Sequence, residues 1–226
     1  MLSVTKYCLL TCLLAGNMFA QDLPPIEVFY PDEYGGENQN WSISQSNKKY
    51  IYVANDKGLL EFNGAKWQLY PSPNNTIMRS VTVIDDKIYT GCYMEFGYWE
   101  SDTYGQLKYT SISNKLAEPL IEDEQFWNIL NFDDWVLFQS LNRIYIYNIQ
   151  EDNFKIIHSK SKITNLFNVD DTIYFQKLND GIYKIERGAE VKVLQSDSID
   201  DKILINIFKK DNYLLLQTQT STQIKS

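Results

Sequence analysis

The sequence is poor in the residues that build most catalytic and metal sites. His158 is the single histidine among 226 residues, which makes a histidine-based metal site or catalytic triad implausible. Cys8, Cys12 and Cys92 are the three cysteines, and the first two lie within an apolar N-terminal leader. One remaining cysteine cannot form an internal disulfide, so packing must stabilise the folded chain. We therefore expect no metal, no cofactor and no enzymatic activity.

Positive charge is scarce as well. The chain has 21 Lys and Arg against 29 Asp and Glu, a net charge of −8. Surfaces that bind nucleic acid need clustered Lys and Arg to neutralise phosphates, so nucleic acid is excluded as a partner of these residues. After the leader, no apolar run approaches the roughly 20 residues that a membrane-spanning helix requires.

The leader itself has the three-part pattern of a secretory signal peptide. Lys6 supplies a positive charge, residues 7–15 are mostly apolar, and Met18-Phe19-Ala20 ends on a small residue. We therefore expect residues 1–20 to be a signal peptide and residues 21–226 to be exported to the periplasm. An uncleaved N-terminal anchor is the alternative.

Helical patterns are also missing. After the leader, no segment keeps a clean helical period over three turns, and alanine is rare. The chain is instead rich in aromatic residues, with 16 Tyr, 11 Phe and 5 Trp. Aromatic and β-branched residues favour strands, while the many Asn and Asp residues favour turns. This composition predicts an all-β fold.

One structural plan recurs five times along the chain. An apolar strand, a short polar turn and a second apolar strand are followed by one or two further strands, with a mean spacing of about 41 residues. This spacing predicts a β-propeller with four-stranded antiparallel blades. It is incomplete, with about four and a half blades of an expected seven-bladed ring. The blades are expected at residues 41–72, 77–113, 126–159, 163–197 and, incomplete, 203–226.

The turn before each second strand is acidic in most repeats. Asp85-Asp86, Asp133-Asp134 and Asp170-Asp171 could be read as metal ligands or acid–base groups. They recur in phase, however, where a hairpin needs residues that tolerate positive φ. We interpret them as turn residues on one rim. On the inner strands, five small polar residues are expected to face the central channel: Ser42, Ser80, Asn128, Asn165 and Asn206.

The beginning and the end of the sequence indicate a larger ring. Val28-Phe29-Tyr30-Pro31 is similar to Gln68-Leu69-Tyr70-Pro71, the end of an outer strand. Residues 26–31 are therefore predicted to be a ring-closing outer strand that pairs with the last blade. Because the fifth repeat reaches Ser226 without its outer strands, we expect the chain to be a piece of a longer protein.

Several segments resemble a known family of sensors. Gly58–Tyr70 (GLLEFNGAKWQLY) resembles the repeat of two-component regulator propellers, which runs through Gly-Leu, an aromatic residue, Asp/Asn-Gly, Trp and Tyr. Residues 35–43 and 90–99 are similar to the N-terminal sensor region of Bacteroidetes transcriptional regulators. These regulators carry a triple-tyrosine domain and a C-terminal LuxR-type helix-turn-helix. The resemblance covers most of residues 23–217 and is weaker in the third and fourth repeats.

The resemblance implies a periplasmic propeller that senses a small molecule or an oligosaccharide. In the full-length protein, a triple-tyrosine domain, a membrane helix and a DNA-binding or kinase module would follow. Contact with DNA and attachment to the membrane would then belong to segments outside these 226 residues. The implied role is the ligand-sensing part of a regulator of transcription.

Residues near the blade ends and on the inner strands without an obvious core role are our candidate ligand contacts. Aromatic side chains beside a few polar groups suit recognition of a sugar or another small molecule, although blade packing is the alternative role for each. An arginine within an apolar inner strand needs a partner, which makes Arg79 the strongest candidate. The set is Trp41, Arg79, Tyr93, Glu95 and Trp127.

Other functions stay open. The chain could be a secreted propeller that binds carbohydrate or other proteins, or a scaffold that forms a homodimer. A propeller glycosidase or lyase is the enzymatic alternative, with Glu95 as the acid. A glycosidase needs two carboxylates roughly 5–10 Å apart, and the sequence offers Glu95 no evident partner.

Overall fold

The computed structural model describes residues 26–195, 199, 201–211 and 213–219, and within them it confirms the all-β prediction. The helical elements there are short, helix α1 (Pro31–Tyr34) and a 3-10 helix (Ser113–Lys115). Within the described ranges, no helix has the length and apolar character needed to cross a bilayer. The predicted signal peptide, residues 1–20, and the end of the fifth repeat, residues 220–226, lie outside the described residues.

Four antiparallel four-stranded sheets follow one another, and each is a meander in which consecutive strands are neighbours. Blade 1 has β1 (Asn40–Gln45), β2 (Ile51–Asn55), β3 (Gly58–Phe62) and β4 (Trp67–Pro71). Blade 2 has β5 (Met78–Ile84), β6 (Lys87–Cys92), β7 (Glu95–Ser101) and β8 (Leu107–Ser111).

Blades 3 and 4 have the same order, and blade 5 has two described strands. Blade 3 has β9 (Asn128–Phe132), β10 (Trp135–Gln139), β11 (Arg143–Asn148) and β12 (Asn153–His158). Blade 4 has β13 (Ile163–Val169), β14 (Thr172–Lys177), β15 (Gly181–Glu186) and β16 (Ala189–Leu194). Blade 5 has β17 (Leu204–Lys210) and β18 (Tyr213–Thr218).

These sheets lie in the five segments expected from the repeat, and the incomplete propeller is confirmed. The seven-bladed ring stays a prediction. The predicted outer strand at residues 26–31 is wrong for this structure, because residues 26–30 belong to no strand and Pro31 begins helix α1. A lone outer strand forms only by hydrogen bonding to another sheet's edge, and its expected partner blade is not part of this sequence.

The interpretation of the acidic turns is confirmed. Asp85, Asp133, Asp170 and Asp211 have φ between 45° and 53°, in the left-handed region. Aspartate tolerates this region better than most residues, because its short polar side chain bonds to the nearby backbone. The repeated acids therefore serve the hairpins.

The hydrophobic core lies between the blades. Tyr52 and Leu59 of blade 1 pack with Val81 and Ile88 of blade 2 in one cluster of buried side chains. Between blades 2 and 3, four buried rings form a second cluster, in which the Phe96 centroid lies 4.6 Å from that of Phe126, 4.4 Å from that of Phe138 and 5.4 Å from that of Tyr145. Similar clusters join blades 3 and 4, and blades 4 and 5. Each blade is thus stabilised mainly by its neighbours.

The small polar residues of the inner strands connect adjacent blades. Ser80 Oγ donates to the carbonyl of Phe126 at 2.8 Å, and Asn128 Nδ2 donates to Asn165 Oδ1 at 2.5 Å. Ser42 Oγ reaches the backbone of Val81 in the same way. Backbone groups at the inner ends of the strands need such partners, since they lie where the blades converge.

A glutamine near the end of the second strand makes several such connections at once. Gln176 is 1% exposed, and its Oε1 accepts from Leu204 N at 2.9 Å and from Thr164 Oγ1 at 3.0 Å. Its Nε2 donates to the carbonyl of Lys202 at 2.7 Å. Gln139 occupies the same position in blade 3, and its Nε2 donates to the carbonyl of Ile163 at 3.0 Å.

We expect Gln176→Ala to lower the free energy of unfolding by about 2 kcal/mol, because it leaves buried backbone groups of blade 5 without partners. Urea denaturation followed by far-UV circular dichroism measures the change. Gln150→Ala is the control, since Gln150 is exposed and its loss should change the stability by less than about 0.5 kcal/mol. Equal effects of the two substitutions would contradict this account of the blade connections.

Candidate functional site

A β-bulge near the start of the inner strands determines which side chains lie at one end of the blades. In β1 the pairing with β2 shifts between Asn40 and Ser42, so Trp41 is an extra residue. In β5 the shift lies between Met78 and Ser80, which makes Arg79 the extra residue. Bulges leave one residue unpaired and redirect its side chain. The same irregularity recurs in β13 and β17.

Three of the predicted site residues meet at this end, one from each of three consecutive repeats. The guanidinium carbon of Arg79 lies 3.8 Å from the ring centroid of Trp41 and 4.9 Å from that of Trp127, which immediately precedes β9. The two indole centroids are 6.0 Å apart, in an edge-to-face arrangement. We call these three residues the Trp–Arg–Trp stack. Trp41 is 39% exposed and Trp127 is 37% exposed, so the stack presents aromatic surface to solvent.

Arg79 finds its partners in aromatic rings and an amide. Its Nε donates to Gln125 Oε1 at 2.8 Å, while its Nη1 is buried and has no hydrogen-bond partner among the described residues. Within the same part of the chain, no carboxylate forms an ion pair with it. A planar guanidinium is well suited to this position, because its weakly hydrated face stacks on aromatic rings. The predicted need of Arg79 for a partner is thus met by the two tryptophans.

The turn between β2 and β3 fixes the orientation of Trp41. Its Nε1 donates to Asp56 Oδ1 at 2.6 Å. The neighbouring Asn55 is fully buried, and its amide donates to the carbonyls of Glu37 and Gln39 at 2.7 and 3.0 Å while its Oδ1 accepts from Glu37 N at 2.9 Å. The Asn55 side chain thus fixes the backbone of Glu37 and Gln39 just before β1. The backbone that carries the Trp41 indole is therefore held in place.

Tyr93 belongs to the same end of the molecule. Its hydroxyl donates to Asp123 Oδ1 at 2.5 Å, and its backbone forms an isolated bridge with Gln125, the residue that accepts from Arg79. The bond to Asp123 raises the pKa of the Tyr93 hydroxyl above its usual value. Residues 123–125 therefore link the Tyr93 turn to the stack.

Glu95 lies apart from the stack and has a different environment. Its Oε1 accepts hydrogen bonds from three hydroxyl groups, those of Tyr109 at 2.9 Å, Ser111 at 2.9 Å and Ser113 at 2.7 Å. These three donors on one oxygen fix the position of the Glu95 carboxylate as part of blade 2. The structure does not place it with the other predicted contacts.

A polar cavity of about 90 Å³ adjoins Trp127. The segment before blade 3 and the turn between β10 and β11 form its walls. Within it, Glu124 is 6% exposed and accepts from Ser140 Oγ at 2.6 Å and from Tyr145 Oη at 2.7 Å. The carboxylates of Glu122 and Asp123 and the amide groups of Gln125 and Asn142 also line the cavity. Hydrogen-bonding groups thus lie next to an exposed indole.

Three of the five predicted contacts therefore meet, namely Trp41, Arg79 and Trp127, and Tyr93 is connected to them through Gln125. The sequence analysis missed Asp56, Asp123 and Gln125, which orient them. Asp56 follows the end of a strand and looks like an ordinary turn residue. Asp123 and Gln125 lie in an irregular segment without periodicity, where no sequence signal distinguishes them.

Among the described residues, no group of three His, Cys, Asp or Glu side chains is arranged to hold a metal ion. The single cysteine in this part of the chain, Cys92, is fully buried, and burial raises the pKa of its thiol to about 12. Such a thiol stays protonated at neutral pH and is a poor nucleophile.

No protein-family model matches the sequence, and no curated protein matches it. Solved structures do share the fold. The extracellular domain of a proposed one-component system from B. thetaiotaomicron is 13% identical, with a TM-score of 0.64 over 87% of this chain and 27% of that chain. The extracellular domain of a proposed hybrid two-component system from the same bacterium is 14% identical, with a TM-score of 0.63 over 85% of this chain and 29% of that chain.

A third similar structure is virginiamycin B lyase from Staphylococcus aureus. It is 16% identical, with a TM-score of 0.58 over 79% of this chain and 64% of that chain. This chain spans less than a third of each of the two signalling domains. The similarity to these structures establishes the β-propeller fold. The resemblance to Bacteroidetes sensor regions implied the same fold.

We expect Arg79→Lys to lower the free energy of unfolding by about 1 kcal/mol and to change the near-UV circular dichroism of the tryptophans. Lysine keeps the charge but loses the planar guanidinium that packs against the two indoles. Urea denaturation and near-UV spectra measure both effects. Arg187→Lys is the matched control, since Arg187 lies exposed in the turn before β16. A spectrum and a stability equal to those of the control would contradict the stack.

Proposed function

We propose that this chain is the extracytoplasmic, ligand-sensing part of a signal-transduction regulator. Its fold occurs in extracellular domains of bacterial signalling systems, which supports a sensing role outside the cytoplasm. The leader pattern of residues 1–20 supports export to the periplasm. In the proposed protein, a downstream membrane helix and an output module that regulates transcription would complete the pathway.

The observation that carries the proposal is the exposed Trp–Arg–Trp stack beside a polar cavity. Exposed aromatic rings that are held rigid provide flat apolar surface at a small cost in conformational entropy. Hydrogen-bonding groups next to such a surface provide orientation and specificity. A sugar ring, with one apolar face and several hydroxyl groups, has the complementary chemistry.

The charges around the stack favour an uncharged ligand. Asp56 and Asp123 lie within hydrogen-bonding distance of Trp41 and Tyr93, and Glu122 lines the adjoining cavity. The charged group of Arg79 packs against both indoles, and its Nη1 is buried. An acidic sugar would meet these carboxylates, and like charges in close contact are unfavourable. We therefore propose a neutral oligosaccharide or a neutral small molecule as the ligand.

A secreted protein-interaction module is the second candidate. Blade 5 carries large apolar side chains that are about half exposed or more, namely Ile205, Phe208, Tyr213 and Leu215. Such a face marks an interaction surface in a soluble protein. It supports contact with another protein or with a second copy of this chain as a homodimer.

Titration calorimetry with a panel of neutral and acidic oligosaccharides tests the sensing proposal. We expect saturable binding of at least one neutral oligosaccharide, and Trp127→Ala should weaken it about tenfold or more by removing the stacking surface. Tyr104→Ala, which removes an aromatic side chain that is 89% exposed in the β7–β8 turn, should leave the affinity unchanged. Absence of binding across the panel, or equal affinity in both variants, would contradict the proposal.

A further inference from the structure

A second and larger cleft lies at the opposite end of β1 from the stack, between blades 1 and 2. Its volume is about 510 Å³, within the range of roughly 300–1,000 Å³ that ligand sites usually have. Tyr50, Tyr52 and Glu61 line it from blade 1, and Val83 and Ile88 line it from blade 2. The β1–β2 and β5–β6 turns close its rim. We call it the blade 1–2 cleft.

Glu61 is the unusual residue of this cleft. It lies directly opposite Tyr52 in the pairing of β2 with β3. The equivalent pairs are Tyr89 with Tyr98 in blade 2, Leu137 with Ile146 in blade 3 and Tyr174 with Lys184 in blade 4. Packing between blades is therefore achieved elsewhere without a carboxylate at this position.

The Glu61 carboxylate lacks a cation. Among the described residues, no lysine, arginine or histidine forms a salt bridge with it. Partial burial raises the pKa of the Glu61 carboxyl above its usual value, although the hydrogen bond from Tyr52 favours the ionised form. Burial and the nearby Glu61 charge likewise raise the pKa of the Tyr52 hydroxyl. A positive charge placed beside Glu61 would relieve the cost of burying this carboxylate.

Among the charged residues of the remaining lining, the acidic ones outnumber the basic ones. Asp85, Asp86 and Glu100 add three carboxylates around Glu61, against two lysines. One of these, Lys87, has its Nζ 4.0 Å from the ring centroid of Tyr98 and is thereby already paired with an aromatic face. Carboxylates together with tyrosine rings attract an ammonium or guanidinium group through charge and cation–π contact.

We propose that the blade 1–2 cleft binds a small organic cation, an amine or a guanidinium compound, with Glu61 as its counter-ion. The ammonium group contacts the Glu61 carboxylate between the rings of Tyr50 and Tyr52, and the carboxylates at the rim attract further positive charge. This site is separate from the Trp–Arg–Trp stack. It would give the domain a second ligand of different chemistry.

Calorimetric titration of the protein with spermidine tests this proposal, with agmatine as a second probe. We expect saturable binding at low ionic strength that weakens as salt screens the carboxylates. Triethylene glycol, which is of similar length and uncharged, should not bind. Glu61→Gln should weaken spermidine binding about tenfold, which corresponds to one lost charge-assisted hydrogen bond.

Three variants make the result specific. Glu151→Gln removes an exposed carboxylate outside the cleft and should leave the affinity for spermidine unchanged. Tyr52→Phe keeps the carboxylate and the ring, and its affinity for spermidine should stay above that of Glu61→Gln, which separates the charge from the packing of the blades. Trp41→Ala should also retain it, so that failure of the sugar site and failure of this site are distinguishable. No saturable binding of either cation, or an affinity for Glu61→Gln equal to that of the wild type, would overturn the proposal.

Discussion

Each blade of this propeller can bury its apolar faces only against the neighbouring blades. A single four-stranded meander has no core of its own, and the buried clusters accordingly join residues of adjacent blades. The inner strands lie where the blades converge, so their backbone groups lose contact with water. These groups therefore need hydrogen-bond partners from the adjacent blade. Ser80, Asn128 and Gln176 satisfy groups of the next blade. The candidate site is built on the same convergence, because Trp41, Arg79 and Trp127 meet only when three consecutive blades are packed.

The two ends of the blades differ in chemistry because they are built from different parts of the strands. At one end, bulges in β1 and β5 redirect the side chains of Trp41 and Arg79, and the guanidinium packs against two indoles. At the other end, the cleft between blades 1 and 2 is bordered by hairpin turns and holds Glu61. The exposed indoles, which already contact the Arg79 guanidinium, suit a neutral and partly apolar ligand. The Glu61 carboxylate, which forms no salt bridge with the described residues, suits a cation. One domain could therefore respond to two kinds of small molecule.

Much of the fold could be predicted from the sequence, because a propeller repeats its hydrophobic pattern once per blade. Ile51, Ile88, Val136 and Ile173 recur at the start of the second strands. The turn residues before them adopt the left-handed conformation that a tight hairpin needs, namely Lys49, Asp85, Asp133 and Asp170. The outer strand expected at residues 26–31 shows the limit of this approach. Its similarity to Gln68–Pro71 was real, but a strand needs a sheet edge, and a local pattern does not supply one.

The candidate site was partly predictable for a related reason. Trp41, Arg79 and Trp127 were singled out because large aromatic or arginine side chains on or near the inner strands had no evident core role in the sequence. The contact among these three side chains depends on the bulges in β1 and β5. The alternation of apolar and polar residues along a strand does not show where one extra residue is inserted. Glu95 was expected to join them, yet it is surrounded by Tyr109, Ser111 and Ser113, which approach it from β8 and the following 3-10 helix. Such partners are set by cross-strand pairing, and the sequence around Glu95 does not reveal them.

The central claim is that the Arg79 guanidinium packs against the indole rings of both Trp41 and Trp127 at the end of the blades. Proton–nitrogen NMR of the three arginine side chains, assigned by substitution, tests it most directly, since Arg79, Arg143 and Arg187 are the arginines of the chain. The account predicts that the Nε–H signal of Arg79 is shifted upfield by the indole ring currents and exchanges slowly with water, and that Trp41→Leu moves it towards the position of Arg187. A signal of Arg79 that exchanges rapidly, lies at the position of a free arginine and is unchanged by Trp41→Leu would contradict the account.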